Sequence, residues 1–397
     1  MHIRPPGSLQ TMSFAAPPPD SLELIESRAS FEELIERFSE EPVVGLDTEA
    51  ASFHRFHDRI YLLQLSSPTR TVVVDPLAVG GLDPLAQWLG GPLTEFVFHD
   101  ADYDIRLLHH EFGIRVARLF DTRIAAQFLN LPTIGLAGIL EARFGIVTDK
   151  KWQRADWSAR PLSAEMVKYA ATDTRYLPQL RDVFRLELTT LGRLSWVEEE
   201  CALARTAEWS AAIAPESGFL RVRGARELDR RGLAVLRELF VWREEIAERL
   251  DRALFRVLGN EALLALAERR PRTLESLEAI RGLGKDNIQR RGQQLLDAIE
   301  RGLAVSEADL PRFERRPRHR PDPAFESRLE RLRQWRVGLA ARLDLPPGLL
   351  APNATLEGIS RANPRDLEEL VSVPGIRRWQ AAEFGAELLA ALAGPTP

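Results

Sequence analysis

The feature that most constrains the fold of this chain is an internal repeat in its second half. Residues 227–303 and residues 325–397 each open with a helical pattern that contains a Trp-Arg pair, Trp242-Arg243 in the first copy and Trp335-Arg336 in the second. Each copy closes on a similar stretch, TLESLEAIRGLGKDNIQRRGQQLLDAI in the first and DLEELVSVPGIRRWQAAEFGAELLAAL in the second. A repeat of roughly 70 to 80 residues predicts two related all-α domains rather than a solenoid.

The first half of the chain has a different pattern, in which short apolar runs alternate with helices. A helix is predicted over Ser21–Phe38, where apolar residues recur at helical spacing. Beyond about residue 195 the sequence has no convincing strand pattern. The first half is therefore predicted to form an α/β domain over residues 21–195. Its predicted strands cover residues 43–50, 60–67, 71–76 and 94–100, the first three as a meander, and further helices cover residues 82–89 and 103–113.

Three segments lie outside these domains. Residues 1–20 are rich in proline and are predicted to form a disordered tail. Residues 196–226 are predicted to hold a connecting helix. Residues 304–324 are polar, basic and rich in proline, which predicts a linker between the two helical copies.

The net charge of the chain and the positions of its lysines exclude two classes of function. The 397 residues carry a net charge of −5, so the protein is not expected to coat a polyanion without specificity. A nucleotide-binding Walker A loop requires Gly-Lys-Ser/Thr. Among the four lysines only Lys285 follows a glycine, and Asp286 comes after it, which excludes a P-loop NTPase.

The cysteine count and the distribution of apolar residues indicate the compartment. A single cysteine, Cys201, excludes an intramolecular disulfide framework and a cysteine-based zinc cage. No apolar run approaches the roughly 20 residues of a membrane span. The N-terminal residues lack the apolar region of a secretory signal. We therefore expect a cytoplasmic protein with no membrane partner.

Four acidic residues and one tyrosine are the candidates for chemistry. Asp47 and Glu49 lie two apart on a predicted buried strand, so both side chains share a face. Asp104 lies in the first turn of a predicted helix, and Tyr169 and Asp173 lie four apart on a later one. Each feature alone has an ordinary structural explanation, such as acids at a strand end or in the first turn of a helix. Together they form a set of carboxylates that could hold two divalent metal ions about 4 Å apart.

These residues carry a resemblance to a known family. The segments VGLDTE, FHDADYDIRLL and YAATD resemble the three motifs of the DEDD 3′–5′ exonucleases, and the tyrosine four residues before the last aspartate is typical of the DEDDy branch. With its helical repeat, the chain over about residues 21–394 resembles the bacterial ribonuclease D family. The resemblance implies a ribonuclease-H-like α/β exonuclease domain followed by two all-α HRDC helical bundles, at residues 227–303 and 325–397.

The resemblance also implies roles for the candidate residues. Asp47, Glu49 and Asp173 would hold one Mg²⁺ or Mn²⁺ ion, and Asp47 would bridge to a second one near Asp104. Tyr169 would orient the attacking water, since a phenol ordinarily keeps its proton at neutral pH. Thr48 would point to the opposite face of a regular strand.

Contacts to nucleic acid are less sharply indicated. Trp152 and Trp157 could stack on a base, although core packing is the stronger interpretation. Asp121 is interpreted as a helix N-cap. His99 could equally be a buried structural histidine, and the turn at 281–287 could be a simple helix connection. The residues proposed to contact nucleic acid are His99, Lys150, Lys151, Arg154, Lys285 and Arg290.

The family resemblance implies a monomeric, metal-dependent 3′–5′ exoribonuclease that trims structured RNA, tRNA precursors included. It would release nucleoside 5′-monophosphates. A DNA 3′–5′ exonuclease remains the alternative, because the motifs themselves do not read the 2′-hydroxyl group. A non-catalytic nucleic-acid-binding protein is disfavoured, because all four acids and the tyrosine are present.

Overall fold

The computed structural model describes residues 22–148, 151–209, 215–313 and 322–394. The predicted tail, Lys150 and residues 314–321 of the predicted linker lie outside the described residues. Within the described ranges, no helix is both long and apolar enough to cross a membrane.

A six-stranded mixed sheet forms the centre of the N-terminal domain, in the order β1-β4-β3-β2-β5-β6. The predicted meander is confirmed, because β2, β3 and β4 pair antiparallel, whereas β1, β5 and β6 join the sheet in parallel. The strands are β1 (Leu22–Ile25), β2 (Val43–Ala50), β3 (Ile60–Ser66), β4 (Thr71–Val74), β5 (Glu95–Phe98) and β6 (Leu119–Asp121).

Helices pack on both faces of this sheet and bury the apolar residues of its strands. They are α1 (Arg28–Phe38), α2 (Pro76–Val79), α3 (Leu85–Leu89), α4 (Asp102–Phe112), α5 (Thr122–Phe128), α6 (Leu136–Phe144), α7 (Ala164–Arg175), α8 (Leu177–Thr190) and α9 (Leu194–Ala204). Asp121 is the N-cap of α5, as predicted, because its side chain accepts the backbone N–H groups of Arg123 and Ile124.

Two predicted helices differ from the structure. The helix predicted over Ser21–Phe38 begins only at Arg28, because residues 22–25 pair with β4 as an edge strand. The connecting helix predicted within 196–226 is α9, which ends at Ala204. Residues 215–227 form the short helix α10 (Pro215–Gly218) and two 3₁₀ turns, Phe219–Arg221 and Ala225–Glu227.

The two helical copies have the same order of helices. The start of each helix in the second copy lies 93 residues after its counterpart, from Arg230 and Pro323 at the first helix to Lys285 and Arg378 at the last. The first copy contains α11 (Arg230–Leu250), α12 (Leu254–Val257), α13 (Asn260–Arg269), α14 (Leu274–Leu277) and α15 (Lys285–Ala304). The second contains α16 (Pro323–Leu343), α17 (Pro347–Leu350), α18 (Asn353–Ala362), α19 (Leu367–Val371) and α20 (Arg378–Ala393).

The Trp-Arg pair of each copy explains part of this similarity. Arg243 donates to the carbonyl of Leu258, which follows α12, at 3.1 Å. Arg336 donates to the carbonyl of Ala351, which follows α17, at 2.6 Å. Each arginine therefore links the first helix of its copy to the C-terminal end of the second helix in the same copy.

The second helical copy packs against the N-terminal domain through apolar side chains. Trp379 stacks on Trp196 of α9 with ring centroids 4.8 Å apart. The carboxylate of Glu199 accepts the first backbone N–H groups of α20, from Arg378 at 2.7 Å and Trp379 at 2.9 Å. Glu199 therefore satisfies the unpaired amides at the start of that helix.

The first helical copy has its own core and contacts the N-terminal domain through the loop of residues 51–59. Asp251 Oδ1, at the C-terminal end of α11, accepts the backbone N–H groups of Phe56 at 3.1 Å and His57 at 3.2 Å. Arg256 donates to the carbonyl of Phe53 at 2.6 Å. This loop directly follows β2, so the first copy contacts the chain a few residues beyond Glu49.

Candidate active site

Three of the predicted acids converge at the end of β2. Asp47 and Glu49 extend from the same face of the strand, and α7 places Asp173 beside them. One carboxylate oxygen from each of the three residues lies within 4.8 Å of the other two. The helix approaches the strand closely because of Gly45, where an added Cβ would lie 2.8 Å from the carbonyl oxygen of Thr174.

Asp104 lies beside this cluster, outside the group of three acids whose oxygens are within 4.8 Å of one another. It lies in the first turn of α4, and its Oδ1 accepts the backbone N–H of Thr48 at 3.1 Å and the Thr48 hydroxyl. Thr48 lies between Asp47 and Glu49 on β2, so strand alternation directs its side chain to the opposite face. Its backbone N–H and its hydroxyl together hold the fourth acid in position.

Burial raises the pKa of every carboxyl group in the cluster, and repulsion between the acids raises the pKa of Asp47, Glu49 and Asp104 further. Burial is the largest cause for all four, and it raises the pKa of Asp173 to about 7. The nearby charge of Asp173 further raises the pKa of Asp47, and the charge of Asp47 does the same for Glu49 and Asp104. Four such acids in one place destabilise the protein unless a cation or protons neutralise them.

The composition of the cluster fits divalent cations. Carboxylate oxygens are the preferred ligands of hard ions such as Mg²⁺. Gln64 lies opposite Asp47 in the β2–β3 register and is 0% exposed, yet neither atom of its carboxamide has a hydrogen-bond partner among the described residues. Buried polar groups are normally satisfied by protein, water or an ion. The site therefore has carboxylate ligands for a cation, and a water bound to that cation would satisfy the buried amide of Gln64.

Tyr169 lies one turn before Asp173 on α7. Its ring stacks on Trp157 with centroids 6.2 Å apart. Trp157 is only 1% exposed, so it packs in the core, as interpreted from the sequence, and it fixes the ring of Tyr169. The spacing on the helix places Tyr169 on the same face as Asp173.

Two kinds of known domain match this chain. Residues 22–189 match the 3′–5′ exonuclease family of domains, and residues 232–299 and 325–392 each match the HRDC domain. The ribonuclease D of Gluconacetobacter diazotrophicus is 33% identical over 378 residues, which is 92% of each chain. That of Acidiphilium cryptum is 32% identical over 374 residues, again 92% of each chain.

The chain belongs to the ribonuclease D family. The crystal structure of Escherichia coli RNase D, described as an exoribonuclease involved in structured RNA processing, supports this with a TM-score of 0.68 at 25% identity. The similarity covers 93% of this chain and 98% of the E. coli chain. An α/β exonuclease domain followed by two HRDC domains is therefore the architecture of this ribonuclease D-family protein, in agreement with the fold predicted from the sequence.

The residues proposed to contact nucleic acid lie in different surroundings. His99 Nδ1 is 2.9 Å from Thr122 Oγ1, and burial lowers the pKa of His99 to about 4, which favours a neutral structural histidine. Lys151 is exposed, with its Nζ 4.6 Å from the ring centroid of Trp152. Lys285 and Arg290 are exposed on α15 of the first HRDC domain.

Arg154 is exposed in the loop that precedes α7, and it contacts the loop of residues 51–59. Its guanidinium lies 5.3 Å from the ring centroid of Phe53, and its carbonyl is 3.0 Å from His54 Nε2. Arg55 extends the same contact by donating to Ser158 at 2.7 Å. The loop 51–59 therefore joins the strand of Asp47 to the segment before Tyr169.

Sequence reasoning missed the contact between this loop and Asp251. The signal in the sequence was faint: an aspartate at the end of a long helix, four residues before the exposed Phe255. Nothing in the local pattern specifies that this aspartate binds a loop about 195 residues earlier, because such a contact depends on how the two domains pack.

Proposed function

We propose that this ribonuclease D-family protein is a metal-dependent exoribonuclease that removes nucleotides from the 3′ ends of RNA, tRNA precursors included. The observation that carries the proposal is the convergence of Asp47, Glu49 and Asp173 within 4.8 Å, with Asp104 held beside them by Thr48. The match to the 3′–5′ exonuclease family supports the direction of attack. The RNA preference is supported by the ribonuclease D names of the relatives.

The acids are proposed to hold two divalent ions, Mg²⁺ or Mn²⁺. Asp47, Glu49 and Asp173 would bind one ion, and Asp47 together with Asp104 would bind the other. Two such ions, when bound, neutralise the carboxylates and stabilise the charge on the attacking and leaving oxygens of an in-line displacement.

The side chains of this protein have the remaining tasks. Tyr169 would orient the attacking water by its hydroxyl, and the stacking on Trp157 would limit the directions in which that hydroxyl can point. Water would attack the terminal phosphorus, and the bond to the 3′ oxygen of the preceding nucleotide would break. The products would be a nucleoside 5′-monophosphate and an RNA with a new 3′-hydroxyl.

The test uses RNA labelled at its 5′ end, so that successive 3′ shortening is visible, with Mg²⁺ or Mn²⁺ present. Wild-type protein should produce a ladder of shortened RNA, and Asp47→Asn and Asp173→Asn should each slow it by more than about 100-fold. Unchanged activity in either variant would refute the two-metal assignment. A DNA strand of the same sequence tests the alternative: equal or faster cleavage of DNA would favour the DNA exonuclease.

We also propose a cellular location and an oligomeric state. A cytoplasmic location agrees with the buried free thiol of Cys201. A monomer is expected from the family resemblance, and light scattering of the purified protein would test it.

A further inference from the structure

Two exposed phenylalanine rings meet where the exonuclease domain contacts the first HRDC domain. Phe53 is 44% exposed and belongs to the loop of residues 51–59, and Phe255 is 56% exposed and belongs to α12. Their ring centroids lie 6.3 Å apart at an angle of 72°. Large aromatic side chains are costly to expose to water, so a pair of them at a domain junction needs an explanation.

Arginines surround this pair on both domains. Arg154 lies 5.3 Å from the ring centroid of Phe53, and Arg256 lies 5.8 Å from that of Phe255. Guanidinium groups and aromatic rings together form the surface to which single-stranded nucleic acid binds, since bases stack on the rings and phosphates pair with the cations.

The positive charge continues along the first HRDC domain. Arg249, Arg252 and Arg290 are exposed, and none of them forms an ion pair with a carboxylate of the described residues. Burial lowers the pKa of Arg291, and the charges of these three arginines lower it further, so the four groups lie close enough to repel one another. Counterions or phosphates would relieve this repulsion.

In the second HRDC domain, residues at the corresponding positions are covered by the exonuclease domain. The offset of 93 residues pairs Arg252 with Leu345, Arg256 with Leu349 and Arg291 with Phe384. All three residues of the second copy pack into the core of the exonuclease domain. At these three positions the second copy is apolar and covered by protein, whereas the first copy has arginines, of which Arg252 and Arg256 are exposed.

We propose that Phe53, Phe255, Arg154, Arg252, Arg290 and Arg291 form a binding track for the single-stranded 3′ segment of the RNA substrate. This junction track rests on the proposed function, and it adds the path by which the strand reaches the site. Phe53 lies four residues after Glu49, a separation of at most about 14 Å along the chain. Bases would stack on the two rings while the arginines bind the phosphates further from the 3′ end.

The experiment compares two RNA substrates, a dinucleotide and a single strand of about 12 nucleotides, with wild-type protein and the double variant Phe53→Ala/Phe255→Ala. The longer RNA should show a KM raised by about 10-fold or more, because stacking contributes about 1–3 kcal/mol per base, with kcat nearly unchanged. Dinucleotide cleavage should not change, since the dinucleotide is too short to reach both rings. An unaltered KM for the longer RNA would overturn the junction track.

Matched variants separate stacking from folding. Phe255→Tyr keeps a ring and should bind the longer RNA like the wild type, whereas Phe255→Leu, which keeps an apolar side chain without a flat ring, should weaken it. Leu186→Ala, at a residue 53% exposed on α8, removes similar exposed apolar surface and should have no effect. Equal binding by the tyrosine and leucine variants would refute a stacking role.

The arginines provide a second, independent readout. Arg252→Gln/Arg290→Gln should reduce the slope of log affinity against log salt concentration by about 0.7 for each phosphate that the variant no longer binds. An unchanged slope would show that the arginines do not bind phosphate. If wild-type protein shortens RNA but these variants behave like it, the junction track is wrong and the proposed function stands. If wild-type protein does not shorten either RNA, the proposed function itself fails.

Discussion

Thr48 donates both its backbone N–H and its hydroxyl to the same oxygen of Asp104. Removing the hydroxyl by Thr48→Val should therefore loosen Asp104 while leaving all four acids in place. A hydrogen bond that orients a metal ligand typically changes metal affinity or activity by 10- to 100-fold, and we expect a loss of about that size. Titration of Mn²⁺ by calorimetry, together with kcat on RNA, would measure it. Thr48→Ser keeps the hydroxyl and should retain most of both, so a serine variant as weak as the valine variant would contradict this role.

The carboxyl cluster should make the metal-free protein less stable as the pH rises. The pKa of Asp173 is raised to about 7 in the folded protein, against an ordinary value near 4, so folding favours the protonated form. The resulting loss of stability is absent below about pH 4, grows through the interval and is complete above about pH 7.

Asp173→Asn removes this contribution. In the presence of a chelator, the variant should unfold at least about 2 °C higher than wild type at pH 8, and the difference should shrink at pH 5. Thermal unfolding at the two pH values would show this. Adding Mg²⁺ should raise the unfolding temperature of the wild type more than that of the variant, and an equal response would argue that no cation binds there.

Asp251 of the first HRDC domain is expected to hold the loop of residues 51–59, and through it the end of β2, in place. Asp251→Gly removes the acceptor of the Phe56 and His57 N–H groups without backbone strain, because Asp251 has a positive φ of 43°. We expect kcat/KM to fall by about 10-fold or more, since small displacements of catalytic groups are costly. Asp344→Gly is the matched control, because Asp344 ends α16 with a φ of 51°. Similar losses in both variants would mean that only helix stability is affected.

The interface of the second HRDC domain should govern stability rather than RNA binding. Trp379→Ala removes the ring stacked on Trp196 and should lower the free energy of unfolding by about 3 kcal/mol. Glu199→Ala removes the acceptor of two amides of α20, with an expected cost of about 1 kcal/mol. Chemical denaturation would measure both. A change in RNA affinity of the folded variants would contradict this assignment.

The acidic site could be predicted because its geometry follows from periodicity. A spacing of two residues on a strand places Asp47 and Glu49 on one face of the sheet. A spacing of four residues on a helix places Tyr169 and Asp173 on one face of that helix. Periodicity also explains why the first helix is predicted to begin too early, over residues that form β1. Leu22, Leu24 and Ile25 fit a helical pattern as well as an extended one, and pairing with β4, almost 50 residues later, decided the outcome.

The contacts between domains could not be predicted in the same way. An apolar residue such as Trp379 is expected to pack against another part of the protein, but the residues next to it in the sequence do not identify that part. The hydroxyl of Thr48 is a similar case, because the strand pattern gives its direction while the position of α4 decides that it binds Asp104.

The carboxylate that Glu199 presents to the start of α20 occupies the place where a phosphate would bind a helix N-terminus. The second HRDC domain thus contains its own internal anion, and a nucleic acid could reach those amides only by displacing it together with the Trp196–Trp379 stack. A duplicated module has in this way become two parts with unequal tasks. The second HRDC domain is fixed in place, and its removal would leave Trp196 and Phe128 without their apolar cover. The first HRDC domain keeps its charged face turned towards solvent.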